Sequence, residues 1–148
     1  MTADRSRIVV GVDGSEPSRQ ALRWARFLSR AFDAEIEAVT AWTFPTVGAG
    51  APNWPDDWDP AADAAQVLHE AVVDTLGEHP DTPVHERVVE GGAARTLLEI
   101  SSGARMLVVG SRGHGGFSAL LLGSVSAACA EYAAGAVLVV HGDTPPPP

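Results

Sequence analysis

Apolar residues follow two rhythms along this chain. Some form short unbroken runs: Ile8-Val-Val, Met106-Leu-Val-Val and Ala136-Val-Leu-Val-Val. Unbroken aliphatic runs mark strands buried on both faces, as in parallel sheets. Others recur at helical spacing. Ala21, Ala25, Leu28 and Phe32 form one inward stripe, with Glu16, Arg19, Arg23, Arg26 and Arg30 facing out. Ala64, Leu68, Ala71, Val72 and Thr75 form a second stripe within Ala61–Leu76. The chain therefore reads as a strand from Arg7 toward Asp13, a helix opened by Gly14-Ser-Glu-Pro17 with Ser15 as its cap, and a strand over Glu35–Trp42. After a loop over Thr43–Pro60 come the second helix, a strand over Val84–Val89, and a short helix through Leu97, Leu98 and Ile100. A strand at Met106–Gly110, a helix at Ser124–Ala133 and a strand at Ala136–Val140 complete the series. Val84–Val89 alternates more than the other strands, which places it nearer a sheet edge.

Strict alternation of strand and helix predicts a parallel sheet with helices on both faces. The 148 residues fit one α/β domain. Residues 1–143 make that domain, and residues 144–148 form an extended, disordered proline tail. In open sheets of this class, ligands bind outside the carboxyl ends of the strands, where strand order reverses. The residues just after each strand are therefore the ones to inspect for function.

Composition narrows the possibilities. The formal net charge is −9, and the one basic cluster is the solvated arginine face of the first helix. A nucleic-acid partner, which needs a basic stripe, is not expected. All ten basic residues are arginine. Without lysine there is no Walker-A loop and no Schiff-base nucleophile. His69, His79, His85, His114 and His141 show no metal-ligand spacing, so no metal held by protein side chains is expected. The single cysteine, Cys129, sits among small residues and reads as core. One cysteine and a polar Met1–Arg7 segment without the form of a secretory signal suit a cytoplasmic protein. Phe117–Val140 carries only Glu131 as a charge and is long enough to span a bilayer. Gly123 and Gly135 divide it, and Glu131 would be costly in lipid, so a loop, a helix and a strand in series are expected and no membrane span.

The segment after the fourth strand carries the strongest signal. It runs Gly110-Ser-Arg-Gly113-His-Gly-Gly-Phe-Ser-Ala-Leu-Leu-Leu-Gly123-Ser124. Gly110, Gly113 and Gly123 let backbone approach a ligand closely, and Ser124 is placed to cap the next helix. Free N–H groups and the dipole at that helix start favour an anion. Physics alone thus allows a phosphate cradle or a simple capped loop.

The spacing resembles the ATP-binding signature of the universal stress protein family: glycine, two residues, glycine, nine residues, glycine, then serine or threonine. Ile8-Val-Val-Gly-Val-Asp13-Gly-Ser is similar to the opening strand and turn of that family. Met106-Leu-Val-Val-Gly-Ser-Arg-Gly is similar to its fourth strand, and Gly123-Ser-Val-Ser and Ala136-Val-Leu-Val-Val to its last helix start and closing strand. The resemblance covers nearly the whole chain except Thr43–Pro60 and the tail. It implies a five-stranded, Rossmann-like sheet of order 3-2-1-4-5. It also implies a homodimer, often formed through the last strand, and a regulatory role responsive to stress and adenylate state. By position, Asp13 would face the ribose side of the nucleotide, and Ala41 would meet adenine through its backbone. Val109, Gly110, Arg112 and Gly113 would line ribose and phosphates, and Gly123, Ser124 and Val125 would hold phosphate oxygens. Mg²⁺ or Mn²⁺ would bridge the phosphates of ATP, keeping waters and needing few protein ligands. Three positions depart from the family pattern: Thr40 where histidine is frequent, Gly103-Ala-Arg where an aspartate pair is common, and Gly135-Ala136 where cysteine-proline is common.

Alternatives stand beside these roles. Asp13 can cap the turn after the first strand. Trp54 and Trp58 can cover adenine, pack at a subunit contact or lie exposed. Thr43–Pro60 reads as a flap beside the adenine or a partner-binding loop. The motif offers no evident base near the phosphates beyond Asp13, so slow ATP hydrolysis ranks below nucleotide binding, as does an empty interaction module. Cyclic AMP shares the adenosine and is an alternative ligand.

Overall fold

The structure, a computed structural model, describes residues 6–44, 56–112, 122–142 and 144–148. The elements follow in strict alternation: β1 (Arg7–Gly11), α1 (Glu16–Phe32), β2 (Glu35–Trp42), α2 (Pro60–Leu76), β3 (Val84–Glu90), α3 (Ala93–Ile100), β4 (Met106–Gly110), α4 (Ser124–Tyr132) and β5 (Val137–Val140). One sheet holds all five strands in the order β3-β2-β1-β4-β5, and every pairing is parallel.

Right-handed crossovers fix the layers. The chain moves from β1 to β3 in one direction and from β3 back past β1 to β5 in the other. Accordingly α1 and α2 pack together on one face, and α3 and α4 on the other. Side chains alternate along β1 to feed both layers. Ile8, Val10 and Val12 join Leu22, Ala25, Ile36, Leu68 and Val72 in the larger core. Val9 joins Val39, Leu97, Leu107, Val109 and Cys129 in the smaller one. This explains the unbroken apolar runs: Ile8, Val9, Val10 and Val108 are all 0% exposed. β3 is an edge strand, and its exposed face carries His85 and Arg87, which pair with Glu35 and Glu37 of β2.

α1 shows why these residues make a helix. Ser15 is its N-cap, accepting from the Ser18 N–H, and Pro17 stands in the first turn. Asp33 ends it with φ of 52°, in the left-handed region. Three of its outer arginines form ion pairs: Arg19 with Asp74, Arg23 with Glu16, and Arg30 with Asp81. Arg30 holds the Asp81 carboxyl below its ordinary value. The apolar stripe ends sooner than its periodicity predicts. Phe32 is 38% exposed, because the last turn of α1 is no longer covered on that side, and its ring lies under the Arg105 guanidinium. The first layer closes at Thr144, whose carbonyl accepts from the Trp24 indole at 2.9 Å. No helix among the described residues is long and apolar enough to cross a membrane.

Burial predicts a sharp contrast at adjacent α2 positions. Leu68 is fully buried and Val67 is 40% exposed. Leu68→Ala should cost about 2–5 kcal/mol in denaturant unfolding, and Val67→Ala should stay within about 0.5 kcal/mol.

Candidate functional site

The carboxyl ends of β1, β2 and β4 open onto one cleft of about 190 Å³. Its walls are Gly11, Val12 and Asp13 after β1, Val39 and Ala41 from β2, and Val109, Gly110 and Arg112 from the end of β4. Ser18 of α1, Ala93 and Leu97 of α3, and Gly123, Ser124, Val125 and Ser126 at the start of α4 complete it. The cleft lies between β1 and β4, the neighbours at which the sheet order reverses, the place where such sheets take ligands.

The sequence-expected residues fall together here. Asp13, Ala41, Val109, Gly110, Arg112, Gly123, Ser124 and Val125 all line the cleft. Gly113 lies outside the described residues. Asp13 has the turn-capping role as well. Its Oδ1 accepts from the Ser15 N–H at 2.9 Å and from the Ser15 hydroxyl, and its own N–H donates to Ser18 Oγ at 3.3 Å. Gly14 makes that turn possible, with φ of 83°. Thr40 donates from Oγ1 to the Val12 carbonyl at 2.9 Å, fixing the tip of β1 against β2.

One expectation changes, and two further residues gain a structural account. Ser124 does not cap α4. Gly123 holds the N-cap position without a side-chain bond, and Ser124 is the first helical residue, its side chain left to the cleft. Gly110 lines the cleft and is required by packing as well: a Cβ there would lie 2.7 Å from the backbone of Pro17. The first turn of α1 therefore sits directly on the end of β4. Trp58 does not line the cleft. Its indole donates to Asp63 at 2.9 Å and its ring meets Phe44 edge-on at 5.9 Å, which in turn meets Trp42 at 5.4 Å. Trp54 and most of Thr43–Pro60 lie outside the described residues.

Sequence reading missed Ser18 and Ser126. Ser18 accepts from the Asp13 N–H and donates to the Ser15 carbonyl at 2.9 Å, orienting the β1 turn. Ser126 is buried and donates to the Ser111 carbonyl at 2.8 Å. Ser18 bonds within its own turn and cap, while the partner of Ser126 is set by how α4 docks, which no spacing rule marks. Cys129 lies below the cleft in the smaller core, and burial pushes its thiol up from the ordinary value. It reads as packing, as the sequence suggested. Among the described residues no group of histidines, cysteines and carboxylates could hold a metal ion.

Comparison with known proteins places this architecture. The model of the universal stress protein family matches residues 5–141. The chain belongs to that family. A universal stress protein of Mycolicibacterium smegmatis is 36% identical over 143 residues, covering 92% of this chain and 48% of that protein. This universal stress protein domain spans about half the length of the curated relatives it matches. A universal stress protein solved in complex with cAMP is 31% identical, with a TM-score of 0.69 and coverage of 93% of this chain and 97% of that one. Universal stress protein UspA from Lactobacillus plantarum has the same fold at a TM-score of 0.71 and 16% identity, covering 92% of this chain and 98% of that one.

The Gly110–Pro17 contact yields a test of the site's framework. Gly110→Ala should destabilise the domain by about 1–3 kcal/mol through overpacking. Gly135→Ala, where an added Cβ meets nothing within 4 Å, should change stability by less than about 0.5 kcal/mol in the same denaturant titration.

Proposed function

We propose that this cleft binds an adenine nucleotide, with ATP as the principal ligand, and that the protein acts as a nucleotide-responsive regulatory module of the stress response. One observation carries the reading: the two ends of the glycine signature, Gly110 and Gly123-Ser124, meet at the start of α4 beside the tips of β1 and β2. The residues present fit such a ligand. The helix start supplies N–H groups for phosphate oxygens, and Ser124 adds a hydroxyl. Gly113, Arg112 and Val109 would flank ribose and phosphates, Asp13 the ribose, and Val125 the phosphates. Ala41, beside Val39 and Leu97, offers backbone and an apolar wall to adenine.

Asp13 is the one carboxylate among the described lining, and one of its oxygens is engaged by Ser15. A Mg²⁺ or Mn²⁺ ion would therefore rest mainly on phosphate oxygens and water, as a hard cation on a triphosphate does. The same carboxylate is a poor general base in that setting, which supports binding with little or no turnover over ATP hydrolysis. The relative solved with cAMP favours cyclic AMP as the second reading, since it shares the adenosine that Ala41 and Asp13 would meet. A cytoplasmic homodimer using the β5 edge fits the exposed position of that strand in the sheet.

Calorimetry with ATP and with cyclic AMP tests the assignment. ATP should bind, and Gly113→Val should weaken it by more than about tenfold, the cost of losing contacts worth roughly a hydrogen bond or two. Unchanged affinity in a folded Gly113→Val protein would overturn the ATP assignment, and tighter binding of cyclic AMP than of ATP would favour the second reading. Product formed over hours under excess ATP should fall far below the enzymatic median of about ten per second.

A further inference from the structure

Just past β4 lies Ser111, just before α4 lies Gly123, and both meet at one atom. The Ser111 carbonyl accepts from the Gly123 N–H at 2.7 Å and from the Ser126 hydroxyl at 2.8 Å. Both lone-pair directions of that oxygen are thereby used. Ser111 is itself held: its N–H donates to the Val140 carbonyl of β5 at 2.8 Å, and it is 4% exposed. The start of α4 is thus tied to the exit of β4 and to β5 by two short bonds, one from backbone and one from a side chain.

The side-chain bond is not a local helix habit. A serine at the third position of a helix ordinarily finds a carbonyl of the preceding turn. For Ser126 that carbonyl, of Gly123, lies at 3.2 Å, while the Ser111 carbonyl fifteen residues away lies closer. Ser126 is 3% exposed, so its hydroxyl has little water to turn to. Among the described residues, no side-chain cap adds to this tie, because Gly123 holds the N-cap position of α4.

We infer that Ser126 is a positioning residue for the phosphate end of the ligand. This rests on the nucleotide-binding reading. By fixing the start of α4 on Ser111, Ser126 holds the first N–H groups of the helix and the Ser124 hydroxyl at the cleft before any ligand arrives. Ordering them on binding would cost affinity, and the tie removes that cost for the phosphates alone. The adenosine end is lined by different elements, β1, β2 and α3. Ser126 therefore sets how strongly the site distinguishes a phosphorylated adenosine from adenosine itself.

The test compares ATP with adenosine on the whole protein and on Ser126→Ala, by calorimetry. ATP affinity should fall by about five- to tenfold, the scale set by one buried hydrogen bond, while adenosine affinity stays the same. Amide exchange at Gly123 should quicken in the variant, showing that the tie has loosened in a folded protein. Equal loss for both ligands, or an unchanged ATP-to-adenosine ratio with Gly123 exchange quickened, would overturn the inference and leave nucleotide binding standing. If the unaltered protein binds neither ligand, the nucleotide reading itself fails, and the inference falls with it.

Discussion

The constraint on which this molecule depends is the parallel pairing of β1 with β4. Val9 pairs with Leu107 and Val10 with Val108 at the centre of the sheet. To bring a strand so far along the chain beside the first one, the connections must leave β1 in one direction and arrive at β4 from the other. Right-handed crossovers then put α1 and α2 on one face and α3 and α4 on the opposite face. At the carboxyl ends of β1 and β4 the chain departs to opposite faces, and among the described residues no element fills the space between. The cleft is a consequence of connectivity, and the side chains around it decide its chemistry.

Close packing and ligand access meet at the same glycines. An added Cβ at Gly11 would lie 2.7 Å from Leu97 Cδ1, and one at Gly110 the same distance from Pro17. These contacts draw α3 and α1 onto the strand tips, so that Leu97 and Ser18 reach the cleft. A glycine in a binding signature can thus be required by the framework behind the site, and a substitution there changes fold and binding together. Thr40 acts in the same framework, tying β2 to the Val12 carbonyl. Its departure from the histidine frequent in the family still leaves the β1 tip held.

Much of this was legible in the residues. Runs such as Ile8-Val-Val and Leu107-Val-Val can only be satisfied between two layers, so the central strands announced themselves, and the stronger alternation of Val84–Val89 placed β3 nearer an edge. The glycine spacing pointed to Gly110, Gly123 and Ser124, and the fold brought them together. Other features were not legible, for physical reasons. Phe32 keeps the helical period of α1, but periodicity does not tell where the covering layer stops. A serine gives no sign of a partner outside its own helix, which hid Ser18, accepting from the Asp13 N–H, and Ser126, donating to the Ser111 carbonyl. The packing of Pro17 on Gly110 was hidden too, because sequence shows the absence of a side chain and not what presses against it.

The proposed nucleotide site is the cleft between β1 and β4. The structure also presents a shallow, charged groove on the α3 side of the sheet, lined by Arg7, Glu37, Arg87 and Glu99, where Glu37 accepts from Arg7 at 2.9 Å and from Arg87 at 3.1 Å. Backbone amide spectra recorded during titration with ATP separate the two places directly. If nucleotide binds in the cleft, the amides of Asp13, Ala41, Gly110, Gly123, Ser124 and Val125 shift saturably while those of Arg7, Glu37 and Arg87 stay in place. Saturable shifts confined to Arg7, Glu37 and Arg87, with the cleft amides unmoved, would contradict it.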